Sequence, residues 1–297
     1  MSSQAVPFHI LAAVDGSEHA QAMLYLLRDL PLRPGDRIEL LTVMLPRHAS
    51  NYWAVEAMSQ KAYNALADSP AEVSAQIITG DPAEEVLKRA ADQKPDLIAM
   101  GAQGLRAALG TLLGGVAQQV LEYAEQPVLI AHAPYTGLRH VVVGVDESDF
   151  TPLSLRYLTQ RFPLPQNATC TLVHVLPPAM LPERLIHVWS ALPGEEVVIP
   201  QISAEERAAL ERQAAEEQAH GQALLERWQK EMRPYRPVKG VLLRGDAATE
   251  LIDHSRQSNA DLIVAAHRGE SGITRWLLGS VARKIAYAAP HAALIVK

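Results

Sequence analysis

The stretch GLRAALGTLLGG at 104–115 returns as GESGITRWLLGS at 269–280, 165 positions further on. Each has a glycine, nine residues, a second glycine and a very small residue, with Leu-Leu before the second glycine. The same shift relates Gly80-Asp81 to Gly245-Asp246 and Asp96-Leu97-Ile98 to Asp261-Leu262-Ile263. It also carries GGVAQQVLEYAEQPVLIA onto GSVARKIAYAAPHAALIV. Upstream, AAVDGS at 12–17 matches VGVDES at 143–148 with a shift of 131, so the second copy holds 34 more residues between these landmarks. A whole domain is written twice; the period is far too long for a solenoid. A chain of 297 residues suits two domains, here 1–136 and 137–297, with APYTGLR at 133–139 as linker and an insert at about 176–232.

Each copy alternates two patterns. HILAAV, IELLTVML, VSAQIIT, DLIAMG and PVLIAH are short continuous apolar runs. Between them, segments such as SEHAQAMLYLLRDL and PAEEVLKRAADQ have helical spacing. Apolar strands separated by helices predict a parallel sheet covered on both faces, and right-handed crossovers make it doubly wound. The second copy repeats this with HVVVGV, ATCTLVHVL, VKGVLLR, DLIVAA and AALIVK. The expected architecture is α/β: two tandem five-stranded parallel sheets, each in strand order 3-2-1-4-5, packed as a pseudo-dimer. The fifth runs, PVLIAH and AALIVK, should lie at sheet edges, and bare apolar edges invite pairing. Each is expected to cover the other, which leaves homodimerisation allowed but less needed.

The insert has two halves. LPPAMLPERLIHVWSALPGEEVVIP is proline-rich and apolar, while 203–232 reads as a long helix opening on a Ser203/Glu206 capping box. Leu210, Ala214, Gly221, Leu225, Trp228 and Met232 form one stripe. The stripe suits a helix packed on its own sheet. The alternative is an insert that shapes a pocket or a surface for a protein partner of unknown identity.

Composition sets limits. A net charge of -6 argues against a protein that coats nucleic acid, and aromatic residues at 5% argue against base stacking. No stretch approaches the length of a membrane span. The single cysteine, Cys170, excludes an internal disulfide, suits a reducing cytoplasm and reads as a buried strand thiol.

In a doubly wound sheet, ligands bind beyond the carboxyl ends of the strands, where the strand order reverses. GAQG and AHRG directly follow the fourth strand of each copy, ahead of a loop and an amphipathic helix. Small residues there let backbone N–H groups approach a ligand, and Ser280 is expected at the helix N-cap beside an anion. His267 and Arg268 fall in the loop and read mainly as solvated residues, with phosphate contact as the alternative. Asp81 and Asp246 read as helix N-caps.

At these residues the sequence resembles the universal stress protein family, whose nucleotide-binding members carry Gly-x2-Gly-x9-Gly-(Ser/Thr). The first copy reads Gly101-x2-Gly104-x9-Gly114-Gly115 and the second Ala266-x2-Gly269-x9-Gly279-Ser280. The resemblance covers nearly the whole chain outside the insert. It implies ATP or another adenine nucleotide as ligand, with or without Mg. It also implies that an Asp ending the first strand and a Val on the second hold the adenosine end: Asp15 and Val43, and Asp146 and Val175. Each Asp reads equally as a cap for the turn that follows it, in VDGS or VDES. Gly115 forgoes a hydroxyl, and Ala266 is costly only if its backbone needs a positive φ. The second copy is therefore expected to be the better site.

The leading expectation is a stress-response protein with the nucleotide as regulatory ligand. A nucleotide-free scaffold acting through partner contacts is the second class, and fold alone does not separate the two. A slow ATPase is a third. The sequence lacks a GxxxxGK followed by Ser or Thr, and its eleven histidines show no metal-ligand spacing on a helix. No catalytic or metal-binding residue is expected.

Overall fold

A computed structural model of the chain describes residues 6–46, 52–105, 113–178, 203–269 and 278–297. The first copy runs β1 (His9–Ala13), α1 (Glu18–Asp29), β2 (Arg37–Met44), α2 (Tyr52–Ala65), β3 (Glu72–Thr79), α3 (Pro82–Gln93), β4 (Leu97–Gly101), α4 (Gly115–Tyr123) and β5 (Val128–Ala131). The second runs β6 (His140–Gly144), α5 (Phe150–Arg156), β7 (Thr169–Leu176), α6 (Ala204–Met232), β8 (Val238–Arg244), α7 (Ala247–Gln257), β9 (Leu262–Ala266), α8 (Ser280–Ala288) and β10 (Ala292–Val296). A single π turn, Tyr157–Arg161, extends α5.

Within each copy the strands are parallel and ordered 3-2-1-4-5. Continuous apolar strands need cover on both faces. One core gathers Ile10, Ala12, Met23 and Leu26 with Val141, Leu155, Leu172 and Trp228. The other gathers Leu11, Ile98, Val86 and Val120 with Val142, Leu251, Ile263 and Ile285. Alternate residues of one strand feed opposite cores, as the two-residue period requires.

The two five-stranded halves pair through their fifth strands, as the apolar edges predict. There is one ten-stranded sheet, in the order β3-β2-β1-β4-β5-β10-β9-β6-β7-β8. Its seam is the antiparallel pair β5–β10, where Leu129 faces Leu294 and Val128 faces Ile295. Leu129 and Leu294 are 165 positions apart, so the same position of each copy meets its own repeat and a pseudo-twofold axis passes between them. Two further contacts obey that axis. Lys297 Nζ donates to the Leu121 carbonyl at 2.7 Å, and His132 Nε2 donates to the Ala286 carbonyl at 3.0 Å. Each carbonyl lies in the last turn of its helix, where donors and cations are favoured. Away from the seam, Arg161 holds Asp96 through Nε at 2.7 Å and Nη2 at 2.5 Å, and the Tyr157 hydroxyl donates to the Asp96 carbonyl.

The capping box forms at Ser203 and Glu206, and α6 runs 29 residues to Met232. Its stripe is only partly a packing face. Gly221, Leu225, Trp228 and Met232 are buried with Leu224, whereas Leu210 is half-buried and Ala214 exposed. The amino-terminal half therefore runs beyond the sheet it was expected to cover. At Gly221 a Cβ would lie 2.9 Å from both Leu176 and Leu242, so glycine is what lets the helix close on β7 and β8. Most of the proline-rich half of the insert, residues 179–202, lies outside the described residues. Cys170 is buried on β7, and burial pushes its thiol up to about 11. Among the described residues no helix is long and apolar enough to cross a membrane.

Burial lowers His132 from 6.5 to about 4, and His19 and His291 nearby add to the effect. The unfolded chain then takes up a proton that the folded chain refuses, so stability falls as pH drops from 6.5 towards 4. Down to pH 5 the loss should reach about 2 kcal/mol. Urea midpoints measured between pH 7 and 5 should fall for the wild type and fall less for His132→Gln. Equal slopes would place the acid sensitivity elsewhere.

Candidate functional site

Two clefts open at the carboxyl ends of the strands, one per copy. The first, about 320 Å³, is lined by Asp15, Val43, Gly101, Gly104, Gly114 and Gly115, with Met100 and Val86 as floor. The second, about 280 Å³, is lined by Asp146, Val175, Ala266, Gly269, Gly279 and Ser280, together with Thr151, His174 and Arg268. All twelve residues expected from the sequence thus lie on one or other cleft wall. Each volume is near the lower end of the range for small-molecule sites.

The helix start differs from expectation by one residue. Gly279, not Ser280, is the N-cap of α8, and Gly114 is the N-cap of α4. Both are extended, and neither has a side chain to cap the helix. The cap glycines close the loops on themselves: Gly114 N–H donates to the Ala102 carbonyl at 2.7 Å and Gly279 N–H to the His267 carbonyl at 2.8 Å. Ser280 and Gly115 are therefore first helical residues. The first-turn N–H groups remain without side-chain caps at the cleft, a geometry that favours an anion. The residues after them, Val116-Ala117 and Val281-Ala282, also line the clefts. Asp81 and Asp246 cap α3 and α7 as expected.

The loop glycines have steric causes. A Cβ on Gly104 would lie 2.5 Å from Asp15 Oδ2, and one on Gly269 would lie 2.7 Å from Asp146 Oδ2. Each glycine makes room for the carboxylate across the cleft. A Cβ on Gly101 would come within 2.6 Å of the Ala20 backbone nitrogen, where α1 crosses β4. In the second copy α5 starts one aligned position later than α1, from a cap with helical dihedrals, and Ala266 sits at the matching point. Lys94 and Asn259 are the non-glycine residues with positive φ among those described, so Ala266 carries no left-handed strain.

The capping reading of the aspartates holds in both copies. Asp15 Oδ1 accepts from the Ser17 N–H at 3.0 Å, and Oδ2 accepts from the Leu105 N–H at 3.1 Å. Asp146 Oδ1 accepts from the Ser148 N–H, the Ser148 hydroxyl and the Thr151 hydroxyl. One oxygen serves the turn and the other faces the loop. Arg268, expected mainly as a solvated loop residue, lines the second cleft and is half-buried. His267 instead packs its ring edge-on against Phe150 at 4.8 Å, and burial lowers it to about 4. Thr151 escaped the sequence reading. Its signal was a hydroxyl where the first copy has Ala20, 131 positions earlier. Among the described residues no three His, Cys, Asp or Glu side chains gather as a metal would require.

These contacts separate the two copies by experiment. Gly101→Ala forces a Cβ into backbone and should cost about 1–3 kcal/mol, as overpacking does. Ala266→Gly should cost about 1 kcal/mol or less. Urea unfolding of both variants checks this; equal losses would mean that the two helix crossings are equally tight.

The universal stress protein family model matches residues 8–132 and again 137–297. A universal stress protein of Mycolicibacterium smegmatis is 25% identical over 319 aligned positions, covering 100% of this chain and 99% of that one. One from Thermus aquaticus is 31% identical over 132 positions, which is 41% of this chain and 96% of the relative. Among solved structures, a universal stress protein from Archaeoglobus fulgidus superposes with a TM-score of 0.60 at 19% identity, covering 97% of this chain and 98% of that chain. A functionally unknown protein from Pseudomonas aeruginosa gives 0.64 at 13% identity, covering 100% and 95%. With two successive matches over nearly its whole length, the chain belongs to the universal stress protein family and carries the family's domain twice.

Proposed function

We propose that this protein binds ATP or another adenine nucleotide as a regulatory ligand, best in the second cleft. The observation that carries the reading is that one cleft gathers both kinds of partner a nucleotide needs. Ser280, the uncapped first turn of α8 and Arg268 suit phosphates. Asp146 and Val175 would take the adenosine end. The first cleft has the matching Asp15 and Val43, but Gly115 replaces the hydroxyl and no lysine or arginine is among its described lining residues. It is the weaker site of the two. The uncapped helix start fits the nucleotide's phosphates, which would also carry any Mg, because Asp146 is the lone carboxylate among the second cleft's described lining residues. The domains divide at 136/137, with the insert at about 176–232 in the second, and the protein works in the cytoplasm. A scaffold role through an unidentified protein partner is the competing reading.

Calorimetry with ATP tests the proposal. A hydrogen bond to a charged group is worth about 1.5–3 kcal/mol, so Ser280→Ala should weaken binding roughly ten- to a hundredfold. Gly115→Ser should strengthen binding in the first cleft, where both loop glycines are present. Binding should also raise the melting temperature with occupancy. A wild type that gives neither heat nor thermal shift at millimolar ATP would leave the scaffold reading in place.

A further inference from the structure

Each helix that opens on a cleft is held at its far end by the other copy. α8 starts at the second cleft with Ser280, and its Ala286 carbonyl accepts from His132 of the first copy at 3.0 Å. α4 starts at the first cleft with Gly115, and its Leu121 carbonyl accepts from Lys297 Nζ of the second copy at 2.7 Å. Each donor follows directly on a strand that is tied into its own cleft loop. Gly279 N–H donates to the His267 carbonyl, and His267 N–H donates to the Val296 carbonyl at 2.7 Å; Lys297 is the next residue. In the first copy Gly114, Ala102 and Ala131 make the same chain ahead of His132. Bonds thus lead from the cap glycine of one cleft, across the seam, to the end of the helix whose first turn forms the other cleft. Around the Lys297 ammonium stand Arg268 and His267 of the second cleft's loop and Glu122 of α4, which Arg283 of α8 meets at 3.5 Å. Arg268 lines the second cleft, whereas Lys297 is among the described lining residues of neither.

From this arrangement, and resting on the nucleotide reading of both clefts, we infer that Lys297 couples them, so that a nucleotide in the second cleft favours one in the first. Burial first and the Arg268 guanidinium second lower the ammonium to about 8. Phosphates beside Arg268 offset the push of that guanidinium. Lys297 then holds its proton, taking one from the solvent where it had lost it, and its bond to the Leu121 carbonyl is charge-assisted. A cation at the carboxyl end of α4 favours an anion at its amino end, about 13 Å away along the helix. The coupling is reciprocal: a nucleotide in the first cleft favours the second by the same factor. His132 holds α8 at the mirror position, but it is neutral near pH 7 and carries no such charge.

Calorimetry of the full chain with ATP tests this, at pH 8 and low ionic strength, in two buffers that differ in ionisation enthalpy. Near pH 8 Lys297 is about half protonated, so filling the second cleft should draw up to about half a proton from the buffer. Lys297→Met keeps the stem and removes the ammonium. It should abolish the uptake and raise the Kd of the weaker, first-cleft step about threefold. Lys297→Arg keeps the charge and does not titrate at pH 8. It should abolish the uptake and leave that Kd in place. An uptake that persists in Lys297→Met belongs to another group and overturns the inference. So does a first-cleft Kd that Lys297→Met leaves unchanged, or that both variants raise alike, as a merely structural role would have it. One ATP per chain instead of two overturns the coupling and leaves the second-cleft reading standing. A wild type that binds no ATP overturns the nucleotide reading itself.

Discussion

The antiparallel pairing of β5 with β10 is the contact on which the rest of the molecule depends. A five-stranded half with an apolar fifth strand would expose a row of unpaired backbone groups beside buried-type side chains. Here the two such edges satisfy each other, and every residue of both strands is buried. Because strands run in opposite senses across the seam, the carboxyl ends of the two halves face opposite edges of the sheet. The two clefts open on those opposite edges and cannot share one ligand. Each must be complete on its own.

A domain present twice in one chain can change in one copy while the other keeps the fold intact. The seam shows how far this has gone. Lys297 and His132 are equivalent positions that make equivalent bonds to equivalent carbonyls, with different side chains. The bond to the helix end is kept and its charge is not. Lys297, with its ammonium half-buried, is lowered to about 8 by burial first and by Arg268 second. His132 is neutral near pH 7. The clefts have diverged more. Hydroxyl and cation stand in the second where glycine and uncharged residues stand in the first, and Thr151 stands where Ala20 does. These changes all alter what a cleft can hold and leave the strand order alone.

The long helix α6 shows the limit of patterning. Its apolar stripe continues past the point where the sheet ends. Burial starts at Gly221, the residue whose missing Cβ admits Leu176 and Leu242. Amino-terminal to that point the helix is held by polar contacts, among them its capping box and side-chain pairs such as Gln213 with Glu217. Arg244 ties it to the end of β8 through Glu217, and His220 meets Glu147 beside the second cleft. How much of a stripe is buried depends on the length of the surface beneath it, which the stripe does not encode.

The sequence by itself determined the elements and their order. Apolar runs and helical spacing are local signals with fixed periods, and the duplication at 165 made each reading checkable against its repeat. It also placed Asp15 and Asp146, Val43 and Val175 and the loop glycines at the same ends of their strands, because strand order and parallel sense suffice for that. Only the tertiary structure decided what those residues face. Gly104 and Gly269 are small because a carboxylate lies across the cleft, and Gly101 because a helix crosses its strand. The cap fell on Gly279 rather than Ser280 because the loop closes through the Gly279 N–H. The two apolar edges meet antiparallel, in a register centred on Leu129 and Leu294 that the edge pattern alone does not set. Each of these is a contact between residues far apart in the chain. Close approach across space has no period, and so it leaves no pattern along the sequence.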